Sequence, residues 1–194
     1  MKLKNIIFLI LPLSLLFIDC TRTITRVSPD QQIDLSGRWN DTDAKLVSQE
    51  MVKDVLGRPW REIFFNKNQK KPTVIVGVIT NKSSEFIDGD LFVKNMEKEF
   101  INSGLVRVVD NGTFREALRK ERADQQEYAS PESQAKWGRE LGANFMLFGT
   151  INSVTDTYNK KKVVFYKVNL WLTDMETNEK VWLGDKEIKT FVEN

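Results

Sequence analysis

The chain contains no histidine. That excludes histidine-based acid–base catalysis, serine–histidine triads and most zinc and non-haem iron sites. Cysteine occurs once, as Cys20, which excludes an intramolecular disulfide and any cysteine-ligated cluster. The fold must therefore rest on its apolar core. Neither charge sign dominates: 29 Lys and Arg oppose 27 Asp and Glu, so a net charge of +2 is too small to argue for nucleic acid or an anionic surface as the main partner. There is no Gly-x-Gly-x-x-Gly, no P-loop lysine motif and no calcium-loop spacing of carboxylates, so no cofactor, metal or small-molecule substrate is expected. What remains, 194 residues of which 41% are hydrophobic, is enough for one globular domain and too apolar for a chain disordered throughout.

The one long apolar run lies at the N-terminus. Lys2 and Lys4 precede an almost unbroken hydrophobic stretch from Ile6 to Ile18, followed by Cys20. The pattern is that of a secretory signal peptide, and the stretch is short of the roughly 20 residues a stable membrane span requires. A lone cysteine just after such a run resembles the lipobox of bacterial lipoproteins, in which the signal peptidase cuts before a diacylated cysteine. Residues 1–19 are then the signal, and Cys20 is the lipidated first residue of the exported chain. Residues 20–40 mix polar side chains with a proline and show no sustained period, so they read as a flexible tether. A globular domain follows over 41–194.

Periodicity organises that domain. Ala44, Val47, Met51, Val52, Val55 and Leu56 recur at helical spacing, with Asp41 or Asp43 as cap and Gly57 and Pro59 as the stop. Trp60, Ile63, Phe64 and Phe65 form a short apolar patch. Residues 73–80, TVIVGVIT, read as a buried strand placed centrally in a sheet. Residues 90–103 form an amphipathic helix ended by Gly104, and 105–109 the next strand. Thr113 and Glu116 make a capping box for a charged helix, with Glu116 and Lys120 placed to pair. Ser130 and Pro131 open a further helix to Leu141, with Trp137 and Leu141 facing inward. The last fifty residues switch to period two, giving strands over 145–154, 163–173 and 180–189. In the middle strand Val164, Tyr166, Val168, Leu170 and Leu172 share the core face. The order predicts an α/β or α+β single domain, a mixed sheet of about five strands flanked by helices.

Catalytic candidates are weak. Ser133 and Lys136 spell Ser-x-x-Lys, but without the companion motifs of penicillin-recognising enzymes the match is one expected by chance. Glu121, Asp124 and Glu127 sit among arginines on a solvated helix face. Lys160, Lys161 and Lys162 read as a hairpin turn with protective lysines. Trp171 shares a strand face with Lys167 and Asn169, opposite the core row; exposed tryptophans are common anchors, which makes the three candidates for partner binding, while core packing is the more frequent role of such a ring.

Longer strings carry a resemblance: GRWNDTDAKLVSQEMV from Gly37, RPW from Arg58, KKPTVIVGVITNKSSE from Lys70, RADQQEYAS from Arg122, ELGANFMLFGTINS from Glu140 and KKVVFYKVNLWLTDMETNEKVW from Lys161. In order, over residues 36–190, they resemble the LpoB-like family of bacterial lipoproteins. The resemblance implies a fold like the N-terminal domain of TolB and a non-enzymatic role, activation of a bifunctional penicillin-binding protein. It also implies an outer-membrane lipoprotein on the periplasmic side, consistent with Thr21 after the cysteine. Two other functions stay open: a TolB-like or secretion-type module with another envelope partner, and a hydrolase using carboxylates alone.

Overall fold

A computed structural model describes residues 24–28, 31, 33, 36–128, 130 and 141–193. The chain divides into two units, Met1–Gln32 and Ile33–Asn194. In the first, residues 24–28 run without regular structure. The second carries α1 (Asp41–Leu56), α2 (Trp60–Asn68), β1 (Thr73–Lys82), α3 (Gly89–Ser103), β2 (Arg107–Val108), α4 (Gly112–Tyr128), β3 (Phe145–Tyr158), β4 (Lys161–Asp174) and β5 (Lys180–Glu193). The strands form one sheet in the order β2-β1-β3-β4-β5. β1 is parallel to β2 and β3, whereas β3, β4 and β5 form an antiparallel meander. This is the mixed α/β single domain expected from the sequence.

Alternation along β4 sets the layers. Val164, Tyr166, Val168, Leu170 and Leu172 are all fully buried, while every residue between them is only partly covered. The inward row meets Leu147 and Ile151 of β3 and Trp182 of β5, and α1, α2 and α3 supply the other side of the core through Val47, Val55, Trp60, Phe92, Met96 and Phe100. Gly149 lies opposite Leu170 because the space is full: a Cβ there would overlap the Leu170 side chain and stand 2.9 Å from the Asn169 carbonyl.

Several local details differ from the sequence expectation. Asn40, not Asp41 or Asp43, caps α1: its side chain accepts from the Asp43 amide while the Asp43 carboxylate accepts from the Asn40 amide. The apolar patch at Trp60 is a helix. Trp60 and Phe64 are four apart and both pack edge-on against Phe145, leaving Ile63 and Phe65 outside. β1 is interior but second from the edge, with β3 in the middle, and a register shift between Val76 and Ile79 turns Val78 out to solvent. β2 keeps only two paired residues. Glu116 pairs with Arg119 rather than Lys120. Leu141 is exposed, and the helix expected around Trp137 lies outside the described residues.

Ordered contacts also begin before Asp41. The Trp39 ring packs against Phe92 and Tyr166, and its amide donates to the Tyr166 hydroxyl at 3.0 Å. That hydroxyl in turn donates to Glu85 at 2.7 Å. The Thr190 hydroxyl donates to the Gly37 carbonyl at 2.6 Å, so the incoming chain is stitched along the end of β5.

Burial, and then the bond to Glu85, hold the Tyr166 phenol above the ordinary tyrosine range. The unfolded chain loses this proton first as pH rises, so the contribution is full below about pH 10 and is lost above it. Tyr166→Phe should lower unfolding free energy by about 1–3 kcal/mol near neutrality, because the Glu85 carboxylate and the Trp39 amide lose a partner. Urea titrations of both proteins from neutral to alkaline pH check this: the gap should narrow above about pH 10.

Candidate functional site: the outer face of the sheet

The inward row of β4 fixes what points the other way. Lys167, Asn169 and Trp171 lie on the outer face, each half-buried, and the strand register supplies their neighbours. Trp171 is flanked by Phe148 and Leu183, Asn169 by Thr150 and Asp185, Lys167 by Asn152 and Glu187. The three candidates from the sequence are thus brought together on one strand, with a second set of residues that sequence reasoning missed.

At the apolar end the Trp171 and Phe148 rings stack, 6.1 Å between centroids and 22° between planes. The Lys180 ammonium sits 5.2 Å from the Trp171 ring centroid, near enough for a cation–π attraction. Leu183 beside them is exposed. Trp171 is therefore neither core nor a free-standing ring. Its indole is held in place at the surface, and a held aromatic loses little conformational freedom when a partner covers it.

In the middle of the face the Lys167 ammonium bridges two acids of the next strand, at 2.8 Å from Glu187 and 3.2 Å from Asp185. The bonds to Glu187 and then Asp185 raise its pKa above the usual lysine value, so it is a fixed cation at any physiological pH. Past this charged centre the face turns apolar again, through Val154, Phe165, Val163 and Phe191. The Trp171 end and the charged ladder beside it suit recognition of another surface: the rings supply burial and the ladder sets register.

The remaining candidates do not join this site. Glu121, Asp124 and Glu127 are exposed on α4. Glu121 accepts from the Gln125 side chain one turn on. No group of three metal-ligating side chains occurs among the described residues. Ser133, Lys136 and Cys20 lie outside them. Grooves on the opposite side run between α1 and β5, where Trp182 donates to Asp54 at 2.8 Å and Lys186 reaches Glu50 at 2.6 Å. Both acids are thereby occupied in holding α1 to the sheet.

The arrangement is a mixed α/β domain whose outer sheet face carries aromatic and charged side chains fixed by strand register. Residues 43–188 match the family of the peptidoglycan-synthase activator LpoB, and the chain belongs to that family. Among solved structures it is similar to the LpoB C-terminal domain from Escherichia coli, at 16% identity and a TM-score of 0.47, over 75% of this chain and 98% of that one. The LpoB C-terminal domain from Salmonella enterica is similar at 13% identity and a TM-score of 0.44, with the same coverage. The NMR structure of E. coli LpoB is similar at 17% identity and a TM-score of 0.43, over 90% of this chain and 82% of that one. No curated protein matches the chain. Among the described residues no helix is long and apolar enough to cross a membrane.

Because the lysine ladder is solvent-exposed, it adds little to stability. Lys167→Met should leave the urea midpoint within error of the parent, and a clear drop would show that the ladder holds the sheet rather than serving its surface.

Proposed function

We propose that the protein is a lipid-anchored, non-enzymatic activator of a bifunctional penicillin-binding protein, and that it docks through the outer face of β3, β4 and β5. Membership of the LpoB family carries the activator role. The surface assignment rests on the outer face itself, where the Trp171–Phe148 stack and the Lys167 ladder are preset by strand register. On this reading the synthase holds the catalytic residues and the lipoprotein shifts its conformational balance. A tenfold stimulation requires the activator to bind the active state about 1.4 kcal/mol more tightly than the inactive one, a gap that a single well-buried aromatic can supply.

The anchor follows from the N-terminus. Export and diacylation at Cys20 put the domain on the periplasmic side, and Thr21 after the cysteine favours the outer membrane. Cys20→Ala should then move the protein from the membrane fraction to the soluble periplasm, and retention in the membrane would contradict lipid anchoring.

Trp171→Ala should weaken binding to the partner synthase by at least about 2 kcal/mol, roughly thirtyfold in Kd, because a central tryptophan is the side chain most often found to dominate such contacts. Biosensor binding of the purified pair measures this, with circular dichroism verifying the fold of the variant. Unchanged affinity would remove the outer face from the interface while leaving the activator role to be tested on its own.

A further inference from the structure

The sheet does not end where its helices end. β1 stops pairing with β3 at Lys82 and Asn152, yet β3, β4 and β5 continue together to the Tyr158–Lys161 turn. The excess is a three-stranded ribbon about 20 Å long, reckoned at the rise of a β-strand. Asn159 takes a left-handed φ of 52° in the turn, leaving Lys160, Lys161 and Lys162 at its tip.

The ribbon combines exposed apolar side chains with lysines. Tyr158 is 76% exposed, Val154 66% and Phe191 61%, and register places all three on the outer side with Val163 and Phe165. Lys160, Lys161, Lys162 and Lys189 outnumber Asp156 and Glu193, and Glu193 is itself paired with Lys161 at 3.2 Å. In a chain whose charges nearly cancel, this is a local excess of cations around exposed aromatic and aliphatic side chains. Phe86 is 96% exposed, next to the Glu85 that bonds Tyr166, and adds another ring at the same end of the domain.

That end is also where the N-terminal segment arrives. Gly37 is bonded to Thr190, and Thr190 is in register with Val164, within a few residues of the tip lysines. From Cys20 to Gly37 the chain can span at most about 60 Å and as a relaxed coil far less.

We infer that the β3–β5 ribbon tip is a membrane-docking surface, its lysines meeting anionic phospholipid headgroups and its Tyr158 and Phe191 rings entering the interfacial layer. Exposed rings with lysine flanks suit that layer, where amphipathic side chains are favoured and each cation gains from an anionic surface. The inference rests on the lipid-anchored reading, because a tether of this reach keeps the tip at high local concentration over the bilayer and lets weak contacts suffice. Docking by the tip stands the sheet away from the membrane and presents the Trp171 end of the outer face to the periplasm.

The test uses unlipidated residues 21–194, which include every core side chain, so its result does not depend on whether Cys20 is acylated. The protein is sedimented with phosphatidylethanolamine vesicles containing roughly a quarter phosphatidylglycerol and, separately, with neutral phosphatidylcholine vesicles. Binding should be confined to the anionic vesicles and fade with added salt. Combining Lys160→Glu, Lys161→Glu and Lys162→Glu should lower affinity at least about tenfold. Tyr158→Ser with Phe191→Ser should lower it as well. Lys67→Glu, Lys70→Glu and Lys98→Glu make the same change in net charge away from the ribbon and should leave it intact. Absence of anionic-vesicle binding would overturn the inference, as would an equal loss in both triple variants or tip-dependent self-association without vesicle binding. Failure of Cys20→Ala to release the protein would instead count against the anchor alone.

Discussion

Five consecutive inward positions of β4, from Val164 to Leu172, are fully buried, and the rest of the domain is arranged around that row. A shift of one residue would carry all five to the surface and bring Phe165, Lys167, Asn169 and Trp171 into the core. Burying the Lys167 ammonium without its acidic partners would cost more than any repacking could recover. The register of β3 and β5 against β4 is therefore strongly specified, and with it the outer face. Phe148 stacks on Trp171, and Asp185 and Glu187 bracket Lys167, because the inner row permits one pairing. Surface chemistry here is a consequence of core packing.

Tyr166 extends that logic to the end of the domain. It belongs to the buried row, yet its hydroxyl joins Trp39 ahead of the first helix to Glu85 after the first strand. Three segments distant in sequence are thereby fixed where the sheet outgrows its helical cover. The point at which the N-terminal segment joins is consequently set by the same strand whose opposite face carries Trp171. The chain leading into α1 from Gly37 thus meets the sheet at a defined end.

The long, strongly periodic elements were legible in the sequence: α1, α3 and the three strands of the meander follow from spacing alone. So did the sharing of one β4 face by Lys167, Asn169 and Trp171, because strand parity needs no partner. The acids around Lys167 were not legible. Placing Asp185 and Glu187 requires the β4–β5 register, and a register shift between Leu172 and Thr173 defeats simple counting outward from the turn. Trp60 to Phe65 read as a patch because the helix is short and half of its aromatic and aliphatic residues face solvent, which blurs the period. β1 read as central because its apolar run lacks alternation, whereas only the bulge after Val76 distinguishes it from a strand buried on both faces. Asn40 was passed over as a cap because two aspartates follow it, and the reciprocal bond with Asp43 decides among them.

Membership of the LpoB family, taken with the outer face, leads to the proposal that this domain accelerates peptidoglycan synthesis by contact. Glycan polymerisation and peptide crosslinking by the organism's bifunctional penicillin-binding proteins, followed with and without the purified protein, test it directly. A saturable rise in rate is expected with one synthase, no rise with unrelated enzymes, and a higher concentration for half-maximal effect when Trp171 is truncated. Rates that stay flat with every synthase, over concentrations at which the protein remains folded and monodisperse, would contradict it.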